Sequence, residues 1–375
     1  MPINDSPTIL FAGGGTGGHL YPGVAVAEAL REFLPNARPV FLCTTRTIDR
    51  LILDPTGFEY IAQPIVPPDR SVTGLLKFWK SWRETKELVT RIIKDRSPAL
   101  VLGLGGYAAG VAVKLAGARK IPAALINPDV IPGKANQYLM RYVRQIYCQF
   151  EETNQHVLAI HRDKIIVTGC PIRTDLHHLP SRAEAVNRLG LDPVLQTLVV
   201  TGASQGAKTV NEGILELFKT FKPQGWQVLH LSGREHAEAV RTAYRDVSIS
   251  ARVIDFTAAM GDVWAVTDLA VSRSGASSCA ELTASGIPSV LMPYPFHKDQ
   301  HQRLNAEVLH HAGAAVLMDD ERDAKRNAEK LRPIMQSLIL DSNKRHAMSQ
   351  AARSLGKPKA AQTVAQAIAA ILQST

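Results

Sequence analysis

The sequence predicts an α/β protein built from two doubly wound parallel sheets, and three observations predict it. Short, fully apolar runs alternate with helical stretches, the rhythm restarts near residue 197, and glycine-rich loops fall where strands should hand over to helices. Strands buried on both faces need apolar residues at every position rather than at alternate ones. The first half supplies such runs at 8–14 (TILFAGG), 39–45, 99–106, 123–128, 145–150 and 164–171; the second supplies them at 197–204, 226–233, 251–256, 269–275, 288–294 and 314–320. Two sheets in series fit this better than one very wide sheet. The Pro- and charge-rich stretch 171–193 reads as the linker, and the Ala-rich 360–372 as a terminal amphipathic helix.

A chain of 375 residues with 45% hydrophobic residues has material for about two cores, which sets disorder aside. Cys43, Cys148, Cys170 and Cys279 are too few and scattered for a disulfide framework or a zinc site, and read as small core residues in a reducing compartment. The first ten residues, MPINDSPTIL, lack a basic start and a long apolar run, so the expectation is a cytoplasmic protein without signal or anchor. A net charge of +9 asks for an anionic partner: nucleic acid, a phosphorylated ligand or a membrane surface.

The loops carry the chemistry. The stretch 13–18 (GGGTGG) follows one strand, 103–110 (GLGGYAAG) another, and 201–213 (TGASQGAKTVNEG) opens the second half. Amides at a helix start have no intrahelical acceptor and bind phosphate when glycine lets it approach. Gly13, Gly15 and Gly18 also fit GxGxxG, which keeps a nicotinamide-dependent oxidoreductase as a rival. Its second strand should end in an acid; this one ends CTTRTID, where only Arg46 is placed for a 2′-phosphate. His19, directly after the loop, has no part in a dinucleotide fingerprint.

Taken in order, GGGTGGHLYPGVAVAEAL, GLGGYAAG, GCPIR, TGASQGAKTVNEGI and SRSGASSCAELTASGIPSVLMPYPFHKDQHQRLNAEVL resemble the MurG family of glycosyltransferases, family 28, over about residues 8–320. The resemblance implies the GT-B fold, two Rossmann-like domains facing across a cleft. Residues 1–172 would form an acceptor and membrane-facing domain, with helix 358–373 packing back on it, and 173–357 a UDP-sugar domain. It implies inverting transfer of GlcNAc from UDP-GlcNAc to undecaprenyl-pyrophosphoryl-MurNAc-pentapeptide, lipid I to lipid II, at the cytoplasmic face of the membrane, beside other wall-synthesis proteins.

Residue by residue, the resemblance makes His19 the base for the acceptor hydroxyl, a task suited to imidazole. Thr16, Gly17, Gly18, Gly105, Gly106 and Tyr107 fall in the loops of the first half. Ser204, Gln205 and Gly206, helped by Arg173, would hold the departing diphosphate; the sequence has no DxD motif, so neither metal nor cofactor is implied. Glu281 matches the glutamate that accepts the ribose hydroxyls, and Phe256, Thr257 and Met260 match the segment that meets uracil, although the two apolar ones also suit a core. In HKDQHQRLNA, Gln302 and Asn305 are retained, but His301 stands where the family has its first glutamine, which bears on hexosamine choice. Where the family reads His-Glu-Gln-Asn this chain reads INPD, so Asn127 and Asp129 either hold the acceptor differently or mark a different acceptor.

An acceptor on a polyprenyl chain requires contact with the bilayer. Leu75, Trp79 and Trp82, near one face of 73–94 with Val89 and Ile93, are ringed by Lys77, Lys80, Arg83, Lys86, Arg91 and Lys94, as an interfacial patch on anionic lipid would be. An ordinary helix packed on its own sheet gives the same pattern. No nucleic-acid motif accompanies it. A related lipid glycosyltransferase with another UDP-sugar or a diacylglycerol acceptor, and a silent scaffold in a wall-synthesis complex, remain alternatives.

Overall fold

The computed structural model describes residues 6–69, 71–202, 206–296 and 299–374. Contacts divide the chain into two units, one of residues 1–173 with 358–375 and the other of 174–357. Each is a parallel sheet with helices on both faces, the Rossmann-like arrangement.

Unit 1 carries β1 (Thr8–Ala12), β2 (Arg38–Cys43), β3 (Glu59–Ala62), β4 (Leu100–Gly103), β5 (Ala123–Asn127), β6 (Gln145–Cys148) and β7 (Ile165–Val167) in the order β3-β2-β1-β4-β5-β6-β7. The period of two along β1 sends Ile9 and Phe11 to one core and Leu10 and Ala12 to the other. The first core packs under the helix Gly17–Phe33, the second under the helices Val72–Arg96 and Gly110–Ala118. Helix Ala360–Gln373 closes the first core with Val364, Ile368, Ile371 and Leu372. Its alanines at 360, 361, 365 and 369 are buried, which suits close approach to helix Gly17–Phe33. Those four larger side chains contribute roughly 6–12 kcal/mol of gross burial energy.

Unit 2 carries β8 (Gln196–Thr201), β9 (Trp226–Leu231), β10 (Ala251–Ile254), β11 (Leu269–Ser272), β12 (Ser289–Leu291) and β13 (Ala315–Leu317) in the order β10-β9-β8-β11-β12-β13. In both sheets the order reverses beside the first strand, which places ligand loops at the strand C-termini there.

Two sequence expectations need correction. β3 was not expected: EYIA is an edge strand with Glu59 exposed and no fully buried residue, so it lacks the apolar signature of its neighbours. The 171–193 linker is largely folded. Ser181 and Glu184 form a capping box that starts helix Arg182–Leu189, which buries Ala185, Val186 and Leu189.

Candidate active site

At the C-terminal ends of β1 and β4, the first two glycine loops have occupants from within the chain. Gly15 N–H donates to both oxygens of Asp49, at 2.8 and 3.0 Å. Asp49, wholly buried, also accepts from the Thr44 amide and hydroxyl, both at 2.7 Å. The Gly15 amide of the expected phosphate cradle is therefore spent on a carboxylate. Gly14 has no room for a side chain, since a Cβ there would lie 2.4 Å from Asp49 Oδ2. Arg46, the one residue suited to a 2′-phosphate, instead donates from Nη1 to the Gly15 carbonyl at 3.1 Å.

His19 lies on the second loop. Cβ atoms at Gly105 and Gly106 would stand 3.3 Å from its Cδ2 and 2.9 Å from its Cε1, so the ring rests on bare backbone. Both glycines have positive φ, +99° and +72°. Gly23 permits the same approach from below, because a Cβ there would strike Leu104 at 2.5 Å. His19 Nδ1 is 3.3 Å from the Gly14 carbonyl and 3.2 Å from Thr16 Oγ1. A carbonyl only accepts, so the neutral ring keeps its proton on Nδ1 and leaves Nε2 as the basic nitrogen. Desolvation holds the imidazole below its ordinary value, partly offset by the Gly14 bond and by the charges of Asp129 and Asp49. A neutral His19 at pH 7 is the form a base requires.

Asn127 is buried and committed within the protein: its Nδ2 donates to the Asp129 carbonyl at 2.8 Å and its Oδ1 accepts from Asn136 at 3.0 Å. Asp129 is half-buried. Tyr107 is half-buried, its hydroxyl raised in pKa chiefly by desolvation. Arg173 stacks over Tyr21 with 4.6 Å from Cζ to the ring centroid.

In unit 2 the two described glycines of the third stretch are closely packed: Cβ atoms at Gly202 and Gly206 would each meet backbone at 2.1 Å, on Ala207 N and Ser232 O respectively. Ser204 and Gln205 lie outside the described residues. Below the loop, buried His230 bridges Tyr244 Oη at 2.8 Å and Asn211 Oδ1 at 3.0 Å, and Asn211 donates to the Ser232 carbonyl. Desolvation pushes His230 down to about 3. Glu281 is buried with its Oε2 accepting the Trp264 indole N–H at 3.0 Å. Met260 is buried, while Phe256, under Arg234, and Thr257 are half-buried. Gln302 Oε1 accepts from the Tyr294 amide at 3.0 Å. His301 pairs with Asp299 at 2.8 Å. Asn305, wholly buried, donates to the Ser274 carbonyl, so it shapes the turn before helix Ala276–Ser285 from beneath.

The profile of the glycosyltransferase family 28 N-terminal domain matches residues 9–148, and that of the C-terminal domain residues 197–364. The chain belongs to glycosyltransferase family 28. It is 32% identical over 368 residues to the UDP-N-acetylglucosamine–N-acetylmuramyl-(pentapeptide) pyrophosphoryl-undecaprenol N-acetylglucosamine transferase of Halothermothrix orenii, covering 95% of this chain and 96% of that one. Among solved structures it is similar to Acinetobacter baumannii MurG, with a TM-score of 0.73 at 22% identity over 99% of both chains. It is also similar to the UDP-GlcNAc 2-epimerase of Neisseria meningitidis bound to UDP-GlcNAc, with a TM-score of 0.68 at 15% identity over 96% of this chain and 99% of that one. The fold is thus shared with an epimerase, and membership of family 28 rests on sequence.

Three features of this family 28 chain escaped the sequence reading. Asp49 has only the ordinary signal of an acid in a first helical turn. His230 reads as one more strand residue. Arg273, in the SRSGA stretch, forms a buried ion pair with Asp320 at 2.8 Å and binds the carbonyls of Met292 and Pro293, tying together the ends of β11, β12 and β13. Burial raises Asp320, but Thr209, Asn327, the Arg322 amide and Arg273 outweigh it and hold the carboxyl below its usual range.

The apolar patch is smaller than expected at one end and larger at the other. Trp82 is half-buried against Phe78 and beneath Lys114, and Val89 and Ile93 are core. Trp79 is 63% exposed, and Val72, Leu75 and Leu76 are exposed with it. Lys80 and Arg83 flank them, pairing with Glu84 and Glu87 one turn on. Among the described residues no helix is long and apolar enough to cross a membrane, and no three His, Cys, Asp or Glu side chains gather as metal ligands.

Proposed function

We propose that this chain transfers GlcNAc from UDP-GlcNAc to MurNAc-pentapeptide on undecaprenyl pyrophosphate, with inversion, at the cytoplasmic membrane face. The observation that carries the reading is His19: a neutral imidazole whose Nδ1 is committed to the Gly14 carbonyl, leaving Nε2 to take the acceptor hydroxyl proton. As that oxygen bonds the anomeric carbon, the bond to UDP breaks and the diphosphate leaves with its electron pair. The backbone amides of Ser204, Gln205 and Gly206, with Arg173, are assigned to that charge, without a divalent ion. Glu281, held by Trp264, is assigned to the ribose hydroxyls, and Gln302 and His301 to the sugar. Asn305, bonded to the Ser274 carbonyl, and the buried Met260 are assigned to shaping the donor side from within the fold. Val72, Leu75, Leu76 and Trp79 are assigned to the lipid surface.

The test is transfer of radiolabelled sugar from UDP-GlcNAc to a panel of lipid-linked acceptors. His19→Ala should lower turnover at least 100-fold with UDP affinity unchanged; turnover near wild type would end the base assignment. EDTA should leave turnover intact, and loss restored by magnesium would overturn the leaving-group account. A different lipid-linked acceptor is the second reading, favoured by Asn127: its amide is engaged with Asn136 and Asp129, so the acceptor meets no glutamate there. The acceptor that accumulates label decides between them.

A further inference from the structure

Asp49 and His19 contact the same peptide group from opposite ends. Asp49 accepts from the N–H of Gly15 at 2.8 and 3.0 Å, and the carbonyl of that peptide, belonging to Gly14, lies 3.3 Å from His19 Nδ1. A trans peptide points its N–H and C=O in opposite directions, so one planar unit joins a buried carboxylate to the imidazole. We propose that Asp49 is a positioning residue for His19, acting through the Gly14–Gly15 peptide in a carboxylate–peptide–imidazole relay. The proposal rests on the reading of His19 as the base.

Two physical effects follow. The three consecutive glycines Gly13, Gly14 and Gly15 have wide backbone freedom, and the peptide between the last two would otherwise rotate easily. A charge-assisted bond on Gly15 N–H fixes which way the Gly14 carbonyl faces, and therefore which ring nitrogen holds the proton. Hydrogen bonds in series also polarise one another, so the carboxylate makes the carbonyl a better acceptor for the imidazolium formed when Nε2 takes a proton. No proton crosses the peptide. Asp49 is itself oriented by the Thr44 amide and hydroxyl, and the missing Cβ at Gly14 gives it space. Other groups around His19 are Thr16 on its own turn, half-buried Asp129 beyond β5, Tyr107 beyond β4, and Arg46, whose guanidinium binds the Gly15 carbonyl; Arg173 stacks on Tyr21 of the same helix. Asp49 is the one among them in hydrogen bond with the Gly14–Gly15 amide nitrogen.

Asp49→Asn keeps the shape and removes the charge. It should lower kcat about tenfold or more, leave KM for UDP-GlcNAc within about twofold, and move the acid limb of the kcat–pH profile to lower pH, because a charge that favours imidazolium is gone. Wild-type kcat, or lost kcat with an unmoved acid limb, overturns the relay. His19→Ala run alongside separates the two claims: turnover that survives it removes the base reading itself, whereas an inactive His19→Ala beside an unaltered Asp49→Asn removes only the relay. Should Asp49→Asn fail to fold, the wild-type protein decides by nitrogen-15 NMR of the His19 ring. A neutral ring protonated on Nδ1 supports the relay, and one protonated on Nε2 overturns it.

Discussion

His230 offers a stability prediction whose size can be worked out in advance. Its imidazole is fully buried between Tyr244 and Asn211, and desolvation lowers it from 6.5 to about 3. The folded protein therefore resists a proton that the unfolded chain takes up readily. The stability this confers is complete above pH 6.5 and is lost as pH falls from there toward 3. Between pH 7 and 5 the unfolded histidine goes from mostly neutral to mostly charged while the folded one stays neutral, which removes about 2 kcal/mol. That figure hardly depends on how far below 5 the folded value lies. Replacing His230 with Gln keeps a polar group between the same partners and removes the titration. Urea unfolding at pH 7 and pH 5 is the assay, in a Trp79→Phe/Trp82→Phe background so that the remaining indoles, Trp226 and Trp264, both report on unit 2. The His230→Gln protein will be less stable at both pH values, but its loss between them should be smaller by about 2 kcal/mol. Equal losses in the two proteins would refute the reasoning.

Gly106→Ala should cut turnover at least tenfold while leaving UDP binding by calorimetry untouched, because the new Cβ sits 2.9 Å from His19 Cε1 on a backbone with φ of +72°. Ile368→Ala should cost about 2–5 kcal/mol of unit 1 stability, measured by denaturant unfolding, since the side chain is wholly buried under helix Gly17–Phe33. Trp79→Ser should weaken sedimentation with anionic vesicles at little cost in Tm, whereas Trp82→Ser should lower Tm; the reverse pattern would reassign the patch. Trp264→Phe should raise KM for UDP-GlcNAc several-fold in initial-rate measurements, because Glu281 loses the indole that orients it.

What could be read from the sequence was what depends on neighbours in the chain. Fully apolar runs such as TILFA and LVLG identify central strands because a sheet covered on both faces tolerates little else, while EYIA at an edge leaves no such mark. The glycine loops were legible as tight turns at strand ends. Their contents were not, because Asp49 reaches Gly15 from 34 residues away and the Gly105–Gly106 backbone meets a histidine from the first turn of helix Gly17–Phe33. Motif positions also conceal depth: Asn127 and Asn305 occupy family positions, yet both side chains are buried in hydrogen bonds to the protein, and Trp82, spaced like Trp79, turns inward.

The return of helix Ala360–Gln373 to the first unit has a consequence for biosynthesis. Residues 174–357 leave the ribosome as an uninterrupted stretch and can fold at once, whereas the N-terminal lobe, though translated first, waits for Val364 through Leu372 to seal its hydrophobic interior. The half made earliest is the last to be finished, and until then the apolar face that helix Gly17–Phe33 turns to helix Ala360–Gln373 is left uncovered.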